Sequence, residues 1–335
     1  APSYFMWRQL EPEIESVRRR LAGAFGCHPE EIALTRNASE ALEICLLGLD
    51  LKPGDEVLTT TQDYPRMITT LKQRERREGI RLIQVRAPVT PKNAGELKAA
   101  FESGLTSRTK LILVSHVVFL TGQIYPVAEI CALGRSLGIP VIVDGAHAFA
   151  QFPFSESQLG CEYYGCSLHK WLMAPVGAGF LHVKKDRIER LWPLMPANPE
   201  QSKDIRKFEE IGTHPAANHN AIGEALSFHE MLGAERKAAR FRYLRERWTS
   251  KIWDHPRFRF HTNLSPRHSC ALCTVELSGV EPSKLADRLL ERHGYFVTAI
   301  GHEEVKGIRV SPNVYTTIEE VDRFAEAMLL AAKEM

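Results

Sequence analysis

The chain has 335 residues, a length that suits about two domains and a large buried core. Hydrophobic residues make up 44% and charged residues 25%, and the formal net charge is +2, so nothing in the balance calls for a nucleic-acid or membrane-surface partner. No apolar run approaches the roughly 18 residues of a membrane span, and the opening Ala1-Pro2-Ser3-Tyr4 resembles neither a signal peptide nor a natural start, so further residues are expected upstream.

Ile14, Val17, Leu21 and Phe25 recur at helical spacing, which predicts an amphipathic helix over 11–25 stopped by Gly26. A short strand over 31–34 and a helix over 38–49 follow. Strands are expected at 56–60, 81–85, 110–115 and 140–144, with helices at 63–78, 93–104 and 126–138 between them. Such alternation implies βαβ units, that is, an α/β domain whose mainly parallel sheet is flanked by helices. Two shorter strands are expected near 162–166 and 177–183. A helical pattern then runs over 216–254 as one bent segment. Beyond it the order is strand, strand, helix (282–292), strand (295–298), strand (307–310) and helix (317–334), a small C-terminal α+β domain. The expected division is a large domain over 11–230 and a small one over 231–335 joined by residues 1–10. The mixed charges from Lys72 to Glu78 read as a solvated helix face.

Seven cysteines (Cys27, Cys45, Cys131, Cys161, Cys166, Cys270 and Cys273) lack the even count and regular spacing of a disulfide framework. They fit a reducing, cytoplasmic compartment. Cys270 and Cys273 form a C-x-x-C near His268, but no second ligand pair accompanies them, so core cysteines are expected and no metal site.

Three segments carry chemistry. V-I-V-D-G-A-H (141–147) drives a β-branched strand to its end and places Asp144 there, where open α/β sheets bind ligands. The alternative for an isolated strand-end Asp is a cap on the next turn. S-L-H-K-W (167–171) sets Lys170 between a strand and the apolar Leu172-Met173-Ala174-Pro175 run. A partly buried amine there has a lowered pKa and can condense with a carbonyl. T-R-N-A-S-E-A (35–41) joins a strand to a helix whose first N–H groups, with the Ser39 hydroxyl, can hold an anion. Asn37 as N-cap with Glu40 in a capping box is the plainer reading, compatible with the first.

An anion cup, then a strand-end Asp, then a Lys 26 residues later: with these in order, the chain resembles the class V aminotransferases, pyridoxal 5'-phosphate enzymes of fold-type I. It looks most like their isopenicillin N epimerase-like branch, over residues 7 to 335. The resemblance implies that Lys170 carries the cofactor as a Schiff base and that Asp144 faces its pyridine nitrogen, with His147 near the ring oxygen O3'. Ala38 and Ser39 match the phosphate cup, and Ser167 and His169 match further phosphate ligands. Tyr64 falls where the family stacks an aromatic or His on the ring; otherwise it is a core residue at a helix start. Thr213, in E-I-G-T-H-P-A-A-N, matches a residue that reaches the neighbouring subunit's phosphate, which implies a homodimer with shared active sites. Arg309, in I-R-V-S-P-N-V-Y, matches an arginine that grips a substrate carboxylate, a task suited to its planar fork; the bland alternative is a surface strand residue.

Two departures matter. Where many relatives carry an Asn near O3', Phe119 stands here, so that contact is lost or supplied by Thr121 or Gln123. The loop before Arg309, 295–309, holds no cysteine of the kind that serves cysteine desulfurases as nucleophile. The implied reaction starts from an amino-acid-like amine in an external aldimine. Lys170 acts as general base at Cα, and the resulting carbanion drains into the protonated ring. Epimerisation or transamination is the main expectation, a C–S β-lyase the alternative. A non-catalytic binding protein is disfavoured because Lys170 and Asp144 are both present.

Overall fold

The structure is a computed structural model that describes residues 2–214 and 216–335. Ala1 and Pro215, the latter inside the G-T-H-P segment, lie outside the described residues. A seven-stranded sheet is built from β1 (Ile32–Thr35), β2 (Glu56–Thr60), β3 (Arg81–Val85), β4 (Thr109–Ser115), β5 (Val141–Asp144), β6 (Tyr163–Ser167) and β7 (Gly179–Val183), in the order β1-β7-β6-β5-β4-β2-β3. Neighbours from β6 to β3 pair in parallel, whereas β7 runs antiparallel to both β6 and β1. Strands β1, β4, β5 and β6 therefore all point their carboxyl ends the same way.

The central strands are apolar on both faces because helices cover both. On one side Val143, Val114 and Leu34 join a cluster with Leu21 and Phe25 of the helix Glu11–Phe25. On the other Ile142 and Leu113 pack on Ala41, Leu42 and Cys45 of the helix Ala38–Gly48. That second helix can sit close because residue 165 on β6 is glycine: a Cβ there would lie 2.9 Å from the Leu42 side chain and 3.1 Å from Ala41. Close-packed interiors leave no room for such an addition without a shift.

The smaller sheet, β8 (Phe258–Phe260), β9 (Cys273–Leu277), β10 (Thr298–Gly301) and β11 (Lys306–Val310), is antiparallel in the order β10-β11-β9-β8. Its core gathers Trp248, Leu285, Leu289, Phe324 and Met328 from three helices. The β10–β11 hairpin reaches back to the large sheet: the Gln62 amide donates to Glu304 at 2.9 Å, and the His302 ring meets the Thr61 carbonyl at 3.1 Å.

Several expectations are corrected. The helical stretch after 216 is three helices, Ala217–Asn220, Ile222–Leu232 and Ala234–Ile252, the last two separated by Gly233 at φ 82°. The strand expected at 295–298 lies at Thr298–Gly301, because the preceding helix ends on left-handed Gly294 and the chain needs three residues to turn. The 72–78 charge run is not wholly solvated. Arg74 is 3% exposed, donating to the Leu46 carbonyl at 2.6 Å and pairing with Glu78. Glu40 closes no capping box: Asn37 accepts from the Glu40 N–H at 2.9 Å, while the Glu40 carboxylate turns back to the Arg36 N–H.

Candidate active site

The carboxyl ends of β1, β4, β5 and β6 open into one cleft of about 640 Å³, and the small sheet closes its far side. Ala38, Ser39, Tyr64, Asp144, His147, Ser167, His169, Lys170 and Arg309 all line it. The sequence spreads these residues over 272 positions, from 38 to 309; the topology brings them to one wall-to-wall space. Thr213 does not reach it and lies exposed in the loop after the 3-10 turn Ile205–Glu209.

Asp144 ends β5, where the four residues Val141–Asp144 are all buried. Gly145 follows because the chain passes flat against an aromatic ring: a Cβ there would stand 2.0 Å from Tyr164. The Asp144 carboxylate is 7% exposed and accepts from the Ala146 N–H at 2.9 Å. Burial raises its pKa to about 6, opposed by that N–H and by the Lys170 amine, while Asp63 adds to the rise. A buried carboxylate with one local donor is short of positive charge, the condition under which it would hold a cationic ring nitrogen.

Lys170 follows β6 by three residues, and its Nζ lies 3.2 Å from His147 Nε2. Burial lowers its pKa, and Asp144 draws it part of the way back. An amine held this way is neutral more often than a surface lysine and can act as nucleophile and base. His147 is pushed well down by burial and by the Lys170 charge, so its ring is neutral. Its other nitrogen, Nδ1, is buried with no partner among the described residues. Met173, just past Lys170, and Ala150, just past His147, hold φ of 64° and 62°. Such left-handed conformations cost non-glycine residues about 1 kcal/mol or more, and they recur where a site dictates the backbone.

The anion cup forms at the start of the helix Ala38–Gly48. The Ala38 N–H is not free, since it donates to Ser167 Oγ at 2.9 Å, a bond that ties the cup to the lysine loop. Ser39 lines the cleft with its hydroxyl unpartnered among the described residues. His169 leans on the Ala178 carbonyl at 3.3 Å, and burial lowers its pKa. These groups suit a phosphate: a helix N-terminus, two hydroxyls and an imidazole.

Across the cleft, Arg309 on β11 is partly buried. Its Nη1 donates to the Phe119 carbonyl at 2.7 Å and its Nη2 to Thr298 Oγ1 at 3.4 Å, while buried Nε has no partner among the described residues. Tyr64 caps the helix Pro65–Glu78, 38% exposed, with its ring edge-on to Phe119 at 5.4 Å. Phe119 lines the cleft, but Thr121 and Gln123 do not. The Thr121 hydroxyl accepts from the Gln123 N–H at 3.2 Å and the Gln123 amide donates to the Ile124 carbonyl at 2.9 Å, so neither replaces the missing asparagine.

The cleft also contains Ser115, Val117, Val176, Thr298, Ala299 and Ile300, which sequence reasoning missed. Ser115 was findable, because it ends β4 as Asp144 ends β5 and the two are paired in register. Thr298 to Ile300 were hidden by the misplaced β10. Beneath the lysine loop, buried Lys237 donates to the Trp171 carbonyl, a support no motif announces.

The residues present fit pyridoxal 5'-phosphate: an amine for its carbonyl, an undercompensated carboxylate for its ring nitrogen, and a cup for its phosphate. Residues 5–324 match the family model described as aminotransferase class-V. Isopenicillin N epimerase from Streptomyces clavuligerus is 33% identical, the match covering 98% of this chain and 86% of that protein. The isopenicillin N epimerase of Amycolatopsis lactamdurans is 31% identical over 98% and 87%. A probable cysteine desulfurase from Synechocystis sp. is 27% identical over 94% and 79%. Among solved structures, the apo cysteine desulfurase of Thermococcus onnurineus NA1 superposes with a TM-score of 0.86 at 21% identity, covering 98% of this chain and 86% of that one. The cystine C-S lyase C-DES with its product cysteine persulfide gives a TM-score of 0.86 at 24% identity, covering 98% and 88%. At these identities the two structures speak for the fold.

Proposed function

The chain belongs to the class-V aminotransferase family, pyridoxal 5'-phosphate enzymes of fold-type I, and on that premise we propose that it acts on an amino acid or amino-acid-like amine, moving the proton at the α-carbon as an epimerase or aminotransferase. The observation that carries this is one cleft lined by Lys170, Asp144 and Arg309 together.

The bound cofactor supplies an electron sink for the α-carbon. The chain's own residues do the rest. Asp144 would hold the ring nitrogen protonated. The Ser39 and Ser167 hydroxyls, the Ala38–Ser39 turn and His169 would bind the phosphate. Tyr64, which lines the cleft, would contact the ring. Lys170 would take the α-proton as general base, and neutral His147, 3.2 Å away, orients the lysine amine. Arg309, which lines the cleft, would pair with the substrate carboxylate, and the carbonyl of Phe119 fixes the guanidinium plane. Thr213 is exposed and outside its own chain's cleft, which suits a role at a partner's phosphate in a homodimer. Seven free thiols suit a cytoplasmic setting, and no helix among the described residues is long and apolar enough to cross a membrane.

Epimerisation is favoured within this class by the two relatives above 30% identity, both named isopenicillin N epimerase. C–S β-elimination is the second reading; the neighbour C-DES, alike in fold, is named a cystine C-S lyase. Desulfuration by a loop cysteine is disfavoured, since 295–309 contains no cysteine. Incubating the cofactor-loaded enzyme with a panel of L-amino acids and peptides separates the readings. Racemised substrate supports the first, keto acid indicates transamination, and sulfide with pyruvate indicates the lyase. No turnover of any kind with any amine would contradict all of them.

A further inference from the structure

At the opposite end of the sheet from the cleft, five metal-ligating side chains converge in two groups around one imidazole. His182 on β7 shares a group with Cys161 and Glu156 and another with Cys27 and Glu31; within each, the ligand atoms lie within 4.8 Å of one another. β7 runs from Gly179, paired with Ser167 at the cleft, to Val183, paired with Tyr163 at the far end, so His182 stands roughly 10 Å along the strand from the cofactor end. Cys27 follows the helix stop at Gly26, Glu31 precedes β1, Glu156 opens the short helix Glu156–Leu159 and Cys161 lies two residues past its end. The two segments are pressed together at Gly26, where a Cβ would lie 2.8 Å from that of Ser155.

His182 is fully buried, yet neither ring nitrogen has a hydrogen-bond partner among the described residues. Glu156 Oε1 is likewise buried and unpartnered. Buried polar atoms of folded proteins are nearly always satisfied, and one left bare costs about 1–3 kcal/mol. Three such atoms beside a buried thiol call for an occupant that accepts lone pairs from nitrogen, oxygen and sulfur at once. Calcium or magnesium would demand oxygen throughout. A borderline-soft divalent cation takes all three donor types.

We propose that this cluster binds a zinc-class divalent cation, with His182, Cys161 and Glu156 as its protein ligands. One thiolate and one carboxylate neutralise the double charge, so no net charge is buried. Bonds of about 2.0–2.3 Å put tetrahedral ligands roughly 3.3–3.8 Å apart, so a contraction of about an ångström closes the site. The Glu156 group is chosen over the Glu31 group because both Glu31 oxygens are already used, accepting from the His28 N–H at 3.2 Å and the Lys185 N–H at 3.0 Å. The C-x-x-C pair is not involved, since the Cys270 thiol is turned to the carbonyls of Gln151 and Ala238. The role is structural: the cation would pin the segment around Glu156 and Cys161 to β7.

The test uses the cofactor-loaded protein, stripped with a chelator, desalted and titrated with zinc chloride. The site predicts about one zinc per chain, a single sulfur neighbour at about 2.3 Å in zinc-edge X-ray absorption, and a raised thermal midpoint. Cys161→Ser and Glu156→Gln should each weaken zinc binding by tenfold or more and abolish the thermal shift, while the cofactor's visible absorbance, which reports an intact fold, stays as in the parent. Cys27→Ser should bind as the parent does. The proposal is overturned by zinc below about a tenth of an equivalent, by parent-like binding in both Cys161→Ser and Glu156→Gln, or by loss in Cys27→Ser alone.

Discussion

Asp144→Asn should stabilise the cofactor-free protein at neutral and higher pH while destroying its activity. The carboxyl is 7% exposed, and burial lifts its pKa from 3.8 to about 6. Below the lower value both folded and unfolded chains carry the proton, and burial of the neutral acid costs little. As pH rises through 6 the folded state is forced to hold a carboxylate that Ala146 and Lys170 only partly compensate, so the stability present at low pH is lost. A shift of about two units corresponds to about 3 kcal/mol, fully expressed above about pH 7. Asparagine keeps the acceptor for the Ala146 N–H and carries no charge. Thermal midpoints of the cofactor-free pair should therefore differ by several degrees at about pH 8, with the variant higher, and converge near about pH 4. Adding the cofactor should raise the parent's midpoint more than the variant's, because only the carboxylate gains a cation. A variant that is no more stable than the parent at about pH 8 would refute the reasoning that Asp144 is held there at a cost to the fold.

Arg309→Ala should weaken binding of a carboxylate-bearing substrate by about 30-fold or more, the lower end of the 2–5 kcal/mol lost when one partner of a buried charged pair is truncated. Arg309→Lys should recover little, since an ammonium cannot span both the Phe119 carbonyl and a carboxylate; inhibition constants of substrate analogues read both, and a flat response in the two variants would move the substrate class away from amino acids. Asp144→Ala should slow turnover by about 10³–10⁵-fold, or about 4–7 kcal/mol of barrier, and near-normal rates would remove it from the chemistry. Sedimentation at micromolar concentration should give a dimer, and Thr213→Ala should loosen the cofactor without altering that state; a monomer that holds the cofactor tightly would count against shared sites.

Much of this was legible because buried strands announce themselves. Val141-Ile142-Val143 fixed both the strand and the place where Asp144 emerges, and parallel order followed from the helices between strands. Lys170, by contrast, was weak as a residue and strong only in company with Asp144 and the Ala38–Ser39 turn. What escaped lay in contacts with no local period. Nothing in the Lys72–Glu78 charge pattern reports that Arg74 would find the Leu46 carbonyl, and no spacing links His182 to Cys161. Thr298 and Ile300 entered the cleft through a three-residue shift of β10 set by the turn at Gly294, which hydrophobic pattern alone could not place.

The central claim is that Lys170 is the amine that carries the cofactor. A rival exists within the fold: burial lowers Lys237 to about 8, making it a second amine capable of carbonyl chemistry, although it faces the Trp171 backbone rather than the cleft. Reduction of the yellow, cofactor-loaded protein with borohydride, followed by proteolysis and mass spectrometry, distinguishes them in one step. The account predicts the pyridoxyl mass on the peptide containing Lys170; the same mass on Lys237, Lys184 or any other lysine would contradict it.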